Sequence, residues 1–173
     1  MAKLLNIIVA CAENRVIGRD GGQPWRIAED MKFFSARTAG QIVVLGRICF
    51  ETWPGADHDG RRPVVVTRNR ALARPGVAVA ESLTTALAVA ESLPGDIYIC
   101  GGQRIYEEAL ALPQPMRLWL TLIHAEIPGD RYFPEWRHLA WRETHRHEGQ
   151  DANYRYTFLT LERLEDMRSR DRE

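Results

Sequence analysis

The chain has 173 residues, 45% hydrophobic and 27% charged, and its 23 basic side chains balance 23 acidic ones to a formal net charge of +0. That length and balance suit one compact domain and exclude a global field that would collect nucleic acid or an anionic membrane. Any anionic ligand must be held by a local cluster of cations.

The first element is LLNIIVACA at 4–12, unbroken by polar side chains and rich in Ile, Leu and Val, as a central strand should be. It is too short to span a bilayer and lacks the cleavage pattern of a signal peptide. A glycine-rich loop, RVIGRDGGQPW, leads to WRIAEDMKFF at 25–34, read as a helix. At about 100° per residue, Ile27, Met31 and Phe34 share one side of that helix, and Asp30 falls between them. QIVVLG at 41–46 is a second buried strand, followed by the helix start RICFETW; RPVVVT at 62–67 is a third and VAVA at 77–80 a short fourth. LTTALAVAESL reads as a helix, DIYICGG at 96–102 as a strand ending in two glycines, and QRIYEEALAL as another helix. Beyond it MRLWLTLIHAEI, AWRETHRHE and YRYTFLTLERL are strand-like with no helix between them. Strands alternating with helices predict a mainly parallel sheet covered on both faces, with antiparallel C-terminal strands closing one edge. No repeat or long linker divides residues 1–164, and the charged tail 165–173 is expected to fray.

Ligands of open α/β sheets settle at the carboxyl ends of strands, near helix N-termini. Two such junctions carry glycine: Gly46-Arg47 after IVVL and Gly101-Gly102 after IYIC. Glycines let backbone N–H groups approach phosphate oxygens, and the helix dipole adds attraction. Ordinary tight turns are the alternative. Arg68-Asn69-Arg70 after VVVT would add cations beside Arg47, as a 2′-phosphate requires and a bare ribose does not. Solvated surface arginines are the alternative there, more so for Arg70. Neither a P-loop nor a G-x-G-x-x-G turn is present. Cys11, Cys49 and Cys100 form no C-x-x-C pair, have no histidine at zinc spacing and suit reduced thiols in a cytoplasm; His145 and His147 lack a third ligand, so no metal is expected. Asp30 is the unusual residue, because a carboxylate among apolar side chains is costly unless paired or protonated. An acid stabilising the helix dipole in its first turn is the plainer reading.

NRVIGRDGGQPWRIAEDMKFF, VVLGRICFETW, ICGGQRIYEEAL and LTLIHAEIPGDRYFP, in this order, resemble the dihydrofolate reductase family from about residue 4 to 164. The resemblance implies a mixed, mainly parallel eight-stranded sheet flanked by four helices. It also implies NADPH-dependent hydride transfer to C6 of dihydrofolate, in a cytoplasmic monomer that binds antifolate-type molecules. By the same resemblance Asp30 holds the pterin ring and polarises it while water protonates N5. Thr121 bonds Asp30 or the pterin, Trp25 holds a water near the ring, and Ile8 and Cys100 offer backbone carbonyls to the amino group. Met31, Phe34 and Trp53 wall the aminobenzoyl group, and Arg61 pairs with the glutamate carboxylate. Toward NADPH, Ala10 and Ile17 meet the carboxamide, and Tyr106 sits beside the nicotinamide. Gly101, Gly102, Gln103, Arg104 and Ile105 cradle the pyrophosphate. Gly46, Arg47, Ile48, Cys49, Thr67 and Arg68 line the adenosine side, and Gly18 and Gly22 belong to a lid that Asp130 bonds in some members. The bond between Gly101 and Gly102 is usually cis in the family.

Four departures qualify the match. Cys49 stands where threonine is usual, which removes a hydroxyl near the cofactor; Ala28 replaces a frequent proline; only Gly60-Arg61 survives of a P-L-P-G-R run; and Arg131 replaces a threonine or serine. Two rivals stay open: an NADPH-dependent pyrimidine reductase of riboflavin synthesis, and a non-catalytic NADPH- or folate-binding module. Neither calls for both an intact acid and a lid.

Overall fold

The computed structural model describes residues 3–163; the tail from 165 on lies outside them. Ten strands and four α-helices run in the order β1 (Leu5–Ala12), β2 (Val16–Gly18), α1 (Ala28–Thr38), β3 (Ile42–Gly46), α2 (Arg47–Thr52), β4 (Arg62–Val66), β5 (Ala78–Ala80), α3 (Leu83–Glu91), β6 (Ile97–Gly101), α4 (Gln103–Leu110), β7 (Met116–Ile123), β8 (Arg131–Tyr132), β9 (Trp141–Gln150) and β10 (Arg155–Arg163). Eight strands form one sheet in the order β5-β4-β3-β6-β1-β7-β10-β9. The first six of these run parallel, and β10 and β9 close the edge antiparallel, as expected.

Two features depart from the sequence expectation. Val16–Gly18, read as loop, pairs antiparallel with Arg131–Tyr132 to make a second, two-stranded sheet. Helix α1 starts at Ala28 rather than Trp25, because Ile27 is extended (φ −116°, ψ 107°) and serves as an N-cap without a side-chain bond. Ile27 therefore packs ahead of the helix and not on it.

The two faces of the sheet bury different cores. Alternate residues Leu5, Ile7, Val9 and Cys11 of β1, with Ile42 and Val44 of β3, join α3 and α4 in one large cluster. The opposite face is split in two. Ala10 and Ala12 of β1 pack with Trp25, Ile27 and Phe158, with Phe33 of α1 against them; Val43, Leu45 and Val65 pack with Phe50 of α2. Between these halves the core is interrupted, and the interruption is a cleft.

Sheet pairing explains where the cleft opens. β1 pairs with β7 from Leu5 to Ala12 but with β6 only from Leu5 to Ile7. The last five residues of β1 thus have one unpaired edge, beside the glycine end of β6. The chain leaves β1 toward β3 and leaves β6 toward β7, in opposite directions along the sheet. That reversal is the switch point at which open α/β sheets hold ligands.

Candidate active site

Ile8 and Cys100 each follow the last registered pair of their strands, Ile7 with Ile99, so both stand at the opening. The Tyr106 hydroxyl donates to the Ile8 carbonyl at 2.7 Å, which leaves that oxygen a second lone pair for a ligand. Tyr106 itself is buried edge-on against Phe133, with ring centroids 5.2 Å apart, and burial holds its hydroxyl well above the usual range.

Asp30 is 8% exposed, the one buried carboxylate among the described residues. It extends from the first turn of α1, and the Thr121 hydroxyl on β7 donates to its Oδ1 at 2.7 Å. Burial raises its pKa above the ordinary carboxylate range, and the Thr121 bond offsets part of that. No cation pairs with it among the described residues. Its second oxygen is the natural acceptor for a ligand's N–H groups. The plain helix-dipole role does not account for burial at this depth. Trp25 lies buried just before α1, and its indole N–H has no partner among the described residues. A buried donor and a buried acceptor on adjoining segments make the cleft a site for a flat polar heterocycle.

The walls are apolar and open. Met31 is 47% exposed, although its neighbour on the helix is buried. Phe34 meets Trp53 across the cleft, with ring centroids 4.9 Å apart. Below them Arg61 is fixed by the backbone carbonyls of Ser35, Gly55 and His58 and by the Thr38 hydroxyl, at 2.8–3.2 Å. The sequence did not reveal Ser35 and Thr38 as its clamps, because their contact depends on how α1 passes over the turn before β4.

On the other side of β6, Tyr106 is the first residue of α4 whose N–H reaches an intrahelical carbonyl, that of Gly102 at 3.0 Å. The N–H groups of Gln103, Arg104 and Ile105 are therefore turned out at the helix mouth. Gly101 and Gly102 are joined by a cis peptide bond, and a Cβ on either would come within 3.3 Å of the Cys49 sulfur. Glycine there keeps the strand end low and its backbone within reach of a phosphate. A Cβ on Gly46 would approach Ile105 and the Gly102 nitrogen, so both glycine junctions face one another. Their donor-lined mouth fits a pyrophosphate.

The remaining cofactor candidates are less committed. Arg47 pairs with Glu51 at 2.9 Å, and Arg104 pairs with Glu108 at 3.3 Å. Ile48 and Arg68 are exposed, and Arg68 makes no ion pair among the described residues. The Thr67 hydroxyl caps Asn69, and Gln103 spends its side chain on Tyr132 and Glu107. Ala10 is paired to Thr121 on one side only, and Ile17 lies in β2. Arg70 is tied to Glu81, not to Arg47. Burial raises the thiol pKa of Cys49, Cys100 and Cys11, the last to about 12, so none is an activated nucleophile.

The glycine-rich segment 18–22 is closed on itself and tied to Asp130 on its N-terminal side. Arg19 and Gly22 exchange backbone hydrogen bonds at 2.8 and 3.0 Å, and Gly18 O accepts from Asp130 N at 3.0 Å. The Asp20 amide donates to the Asp130 carboxylate at 3.2 Å. A separate groove of about 610 Å³, lined by Phe33, Arg37, Trp119, His145, His147 and Phe158 among others, lies behind α1. It has volume but no buried titratable group, so it does not compete as the chemical centre. Among the described residues, no three His, Cys, Asp or Glu side chains gather as a metal site would need.

Comparison with known proteins agrees with this geometry. A profile of the dihydrofolate reductase family matches residues 4–163. The chain is 43% identical over 163 residues to dihydrofolate reductase type 3 of Salmonella typhimurium, covering 92% of this chain and 98% of that one. It is 36% identical over 157 residues to dihydrofolate reductase of Neisseria gonorrhoeae, covering 90% and 95%. A solved dihydrofolate reductase from Enterococcus faecalis, complexed with NADP(H) and RAB-propyl, superposes with a TM-score of 0.78 at 31% identity, covering 94% of this chain and 97% of that one. Matched over residues 4–163 by the family profile and 43% identical to one of its members, the chain belongs to the dihydrofolate reductase family.

Proposed function

We propose that the protein reduces 7,8-dihydrofolate to tetrahydrofolate with NADPH, as a monomer in the cytoplasm. The observation that carries this reading is the buried Asp30–Thr121 pair in a cleft whose opposite lip is built for a pyrophosphate. The named relatives are dihydrofolate reductases, which favours this over pyrimidine reduction.

The group bound along Gly46, Arg47 and Gly101–Ile105 supplies a hydride, and C6 of the pterin receives it. Asp30 accepts hydrogen bonds from the pterin's amino group and N3–H, fixing the ring's orientation. The Ile8 and Cys100 carbonyls bind the same amino group from the strand ends. Trp25 donates its indole N–H to a water beside the ring, and a water delivers the proton that N5 takes up. Met31, Phe34 and Trp53 exclude solvent from the aminobenzoyl arm, and Arg61 meets the tail carboxylate. Ala10 and Ile17 present backbone groups to the carboxamide, with Tyr106 beneath. The lid from Gly18 to Gly22 closes over the reacting atoms.

The test follows NADPH absorbance with dihydrofolate present. Substrate-dependent oxidation is the expected result; tight binding of both molecules without turnover would overturn the reading.

A further inference from the structure

The turn before β4 holds a carboxylate that the family resemblance does not explain. Asp59 reaches Nη1 of Arg61 at 3.2 Å, and its side chain is 73% exposed while that of Arg61 is 2% exposed. The guanidinium is thus sunk in the wall, and the exposed Asp59 is its one carboxylate partner among the described residues.

A count of donors shows what this does. Nε is spent on Thr38 and one Nη2 hydrogen on Ser35, while Nη1 serves Gly55, His58 and Asp59 with two hydrogens. An incoming carboxylate finds one Nη2 hydrogen uncommitted and must take the rest of a bidentate grip from Asp59. The other charges of this rim offer no replacement. Arg74 is held by Asp57 at 2.8 Å, and His58 stands 3.7 Å from the same acid. Arg62 is turned away onto the carbonyls of Gly40 and Pro94.

We infer that Asp59 is a specificity-determining residue, a tethered carboxylate that competes with the substrate's glutamate tail for Arg61 and lowers the site's preference for anionic tails. This inference rests on the proposed reduction of dihydrofolate. Arg61 does not need Asp59 to stay in place, since four neutral oxygens hold it. The carboxylate therefore acts on the ligand rather than on the fold.

Backbone geometry provides a clean variant. Asp59 has φ 54°, a left-handed conformation that asparagine also tolerates and glycine adopts freely. Asp59→Asn removes the charge without strain, and Asp59→Gly is the second variant if the first folds poorly. Michaelis constants are measured for dihydrofolate and for 6-methyl-7,8-dihydropterin, which lacks the tail, at low and high salt.

Asp59→Asn should lower the constant for dihydrofolate about two- to fivefold at low salt, the range of an exposed pair. The constant for the tailless pterin should stay unchanged. The gain should shrink at high salt, where the exposed rim is screened. Equal changes for both substrates, or none for either, would overturn the inference. Failure of the wild type to reduce either pterin would instead overturn the proposed function.

Discussion

Asp30 couples stability to chemistry at a single residue. Its pKa is raised by burial in the folded state and is ordinary, about 3.9, in the unfolded chain. Below that unfolded value both states hold the proton and burial of the acid costs little. As pH rises through the unfolded pKa toward the folded one, the unfolded state ionises first and stability is lost. At neutral pH the carboxylate is therefore a net liability to the fold. Asp30→Asn should raise the thermal midpoint at pH 7, with the advantage over wild type fading as pH falls through the raised folded pKa and gone below about 4. The same variant should reduce turnover at pH 7 about a hundredfold or more, because the pterin is no longer held and polarised for its protonation by water. It should recover partly in acid, where the substrate protonates unaided. Steady-state rates across pH and calorimetry on one preparation check both halves. Thr121→Val isolates the neighbouring bond. The Thr121 hydroxyl offsets part of the rise, so its loss should move the acidic limb of the kcat/KM profile to higher pH.

Among the elements, the lid shows what a strand of two or three residues can do. β2 and β8 are too short to carry a hydrophobic period, so the sequence reads there as glycine-rich loop. Yet their pairing, with the Asp130 bonds to Gly18 and Asp20, fixes both the root and the shoulder of the lid. Most of the longer strands were legible to within a residue or two at each end, because buried runs such as IVVL and IYIC suit a sheet covered on both faces; β7 is the exception, since it ends at Ile123 and not at Ile127 as the run MRLWLTLIHAEI suggested. Helix α1 was legible in position but not in its start. Ile27 continues the apolar pattern into an N-cap that has no Ser, Asp or Asn to mark it. At the site, Asp30 was readable because it breaks a pattern, while the Asp59–Arg61 contact was not, since it depends on turn geometry and not on spacing. Gly129 tests the lid's root. A Cβ there would collide with Val16 and the Gly18 carbonyl, which a fixed strand cannot easily yield. Gly129→Ala should raise the Michaelis constant for NADPH several-fold and speed amide exchange at Asp20. The thermal midpoint should fall as well, because Val16 is fully buried in the smaller core and Ile17 packs on the large one.

Across the whole molecule the sheet separates two tasks. One face is a continuous core on α3 and α4, and it bears the folding energy. The other is divided, so that α1 and α2 stand apart with a cleft between them. Such a division exposes Met31 and Ile48 at 47% and 52%, a hydrophobic cost that a bound ligand would relieve. Under the proposed function it would also make recognition bipartite, with an acid for the pterin on α1 and cations for phosphate beyond β3 and β4. With a formal net charge of +0, the chain has no global field to attract a phosphorylated cofactor, so any such affinity must come from local cations and from the N–H groups at the mouth of α4. Arg47 and Arg68 differ in readiness, since Arg47 already leans on Glu51 and Arg68 has no ion pair among the described residues. Arg68→Ala should therefore raise the Michaelis constant for NADPH about tenfold, as the loss of one charge-assisted bond would. Arg47→Ala should raise it less, because Glu51 shares that guanidinium. Neither variant should change the constant for NADH by more than about twofold, since NADH lacks the 2′-phosphate. The preference of the wild type for NADPH should also narrow as salt rises, because both arginines are exposed. Paired titrations with the two nucleotides measure all of this. Equal losses for both would mean that these arginines shape the loop and do not read the phosphate.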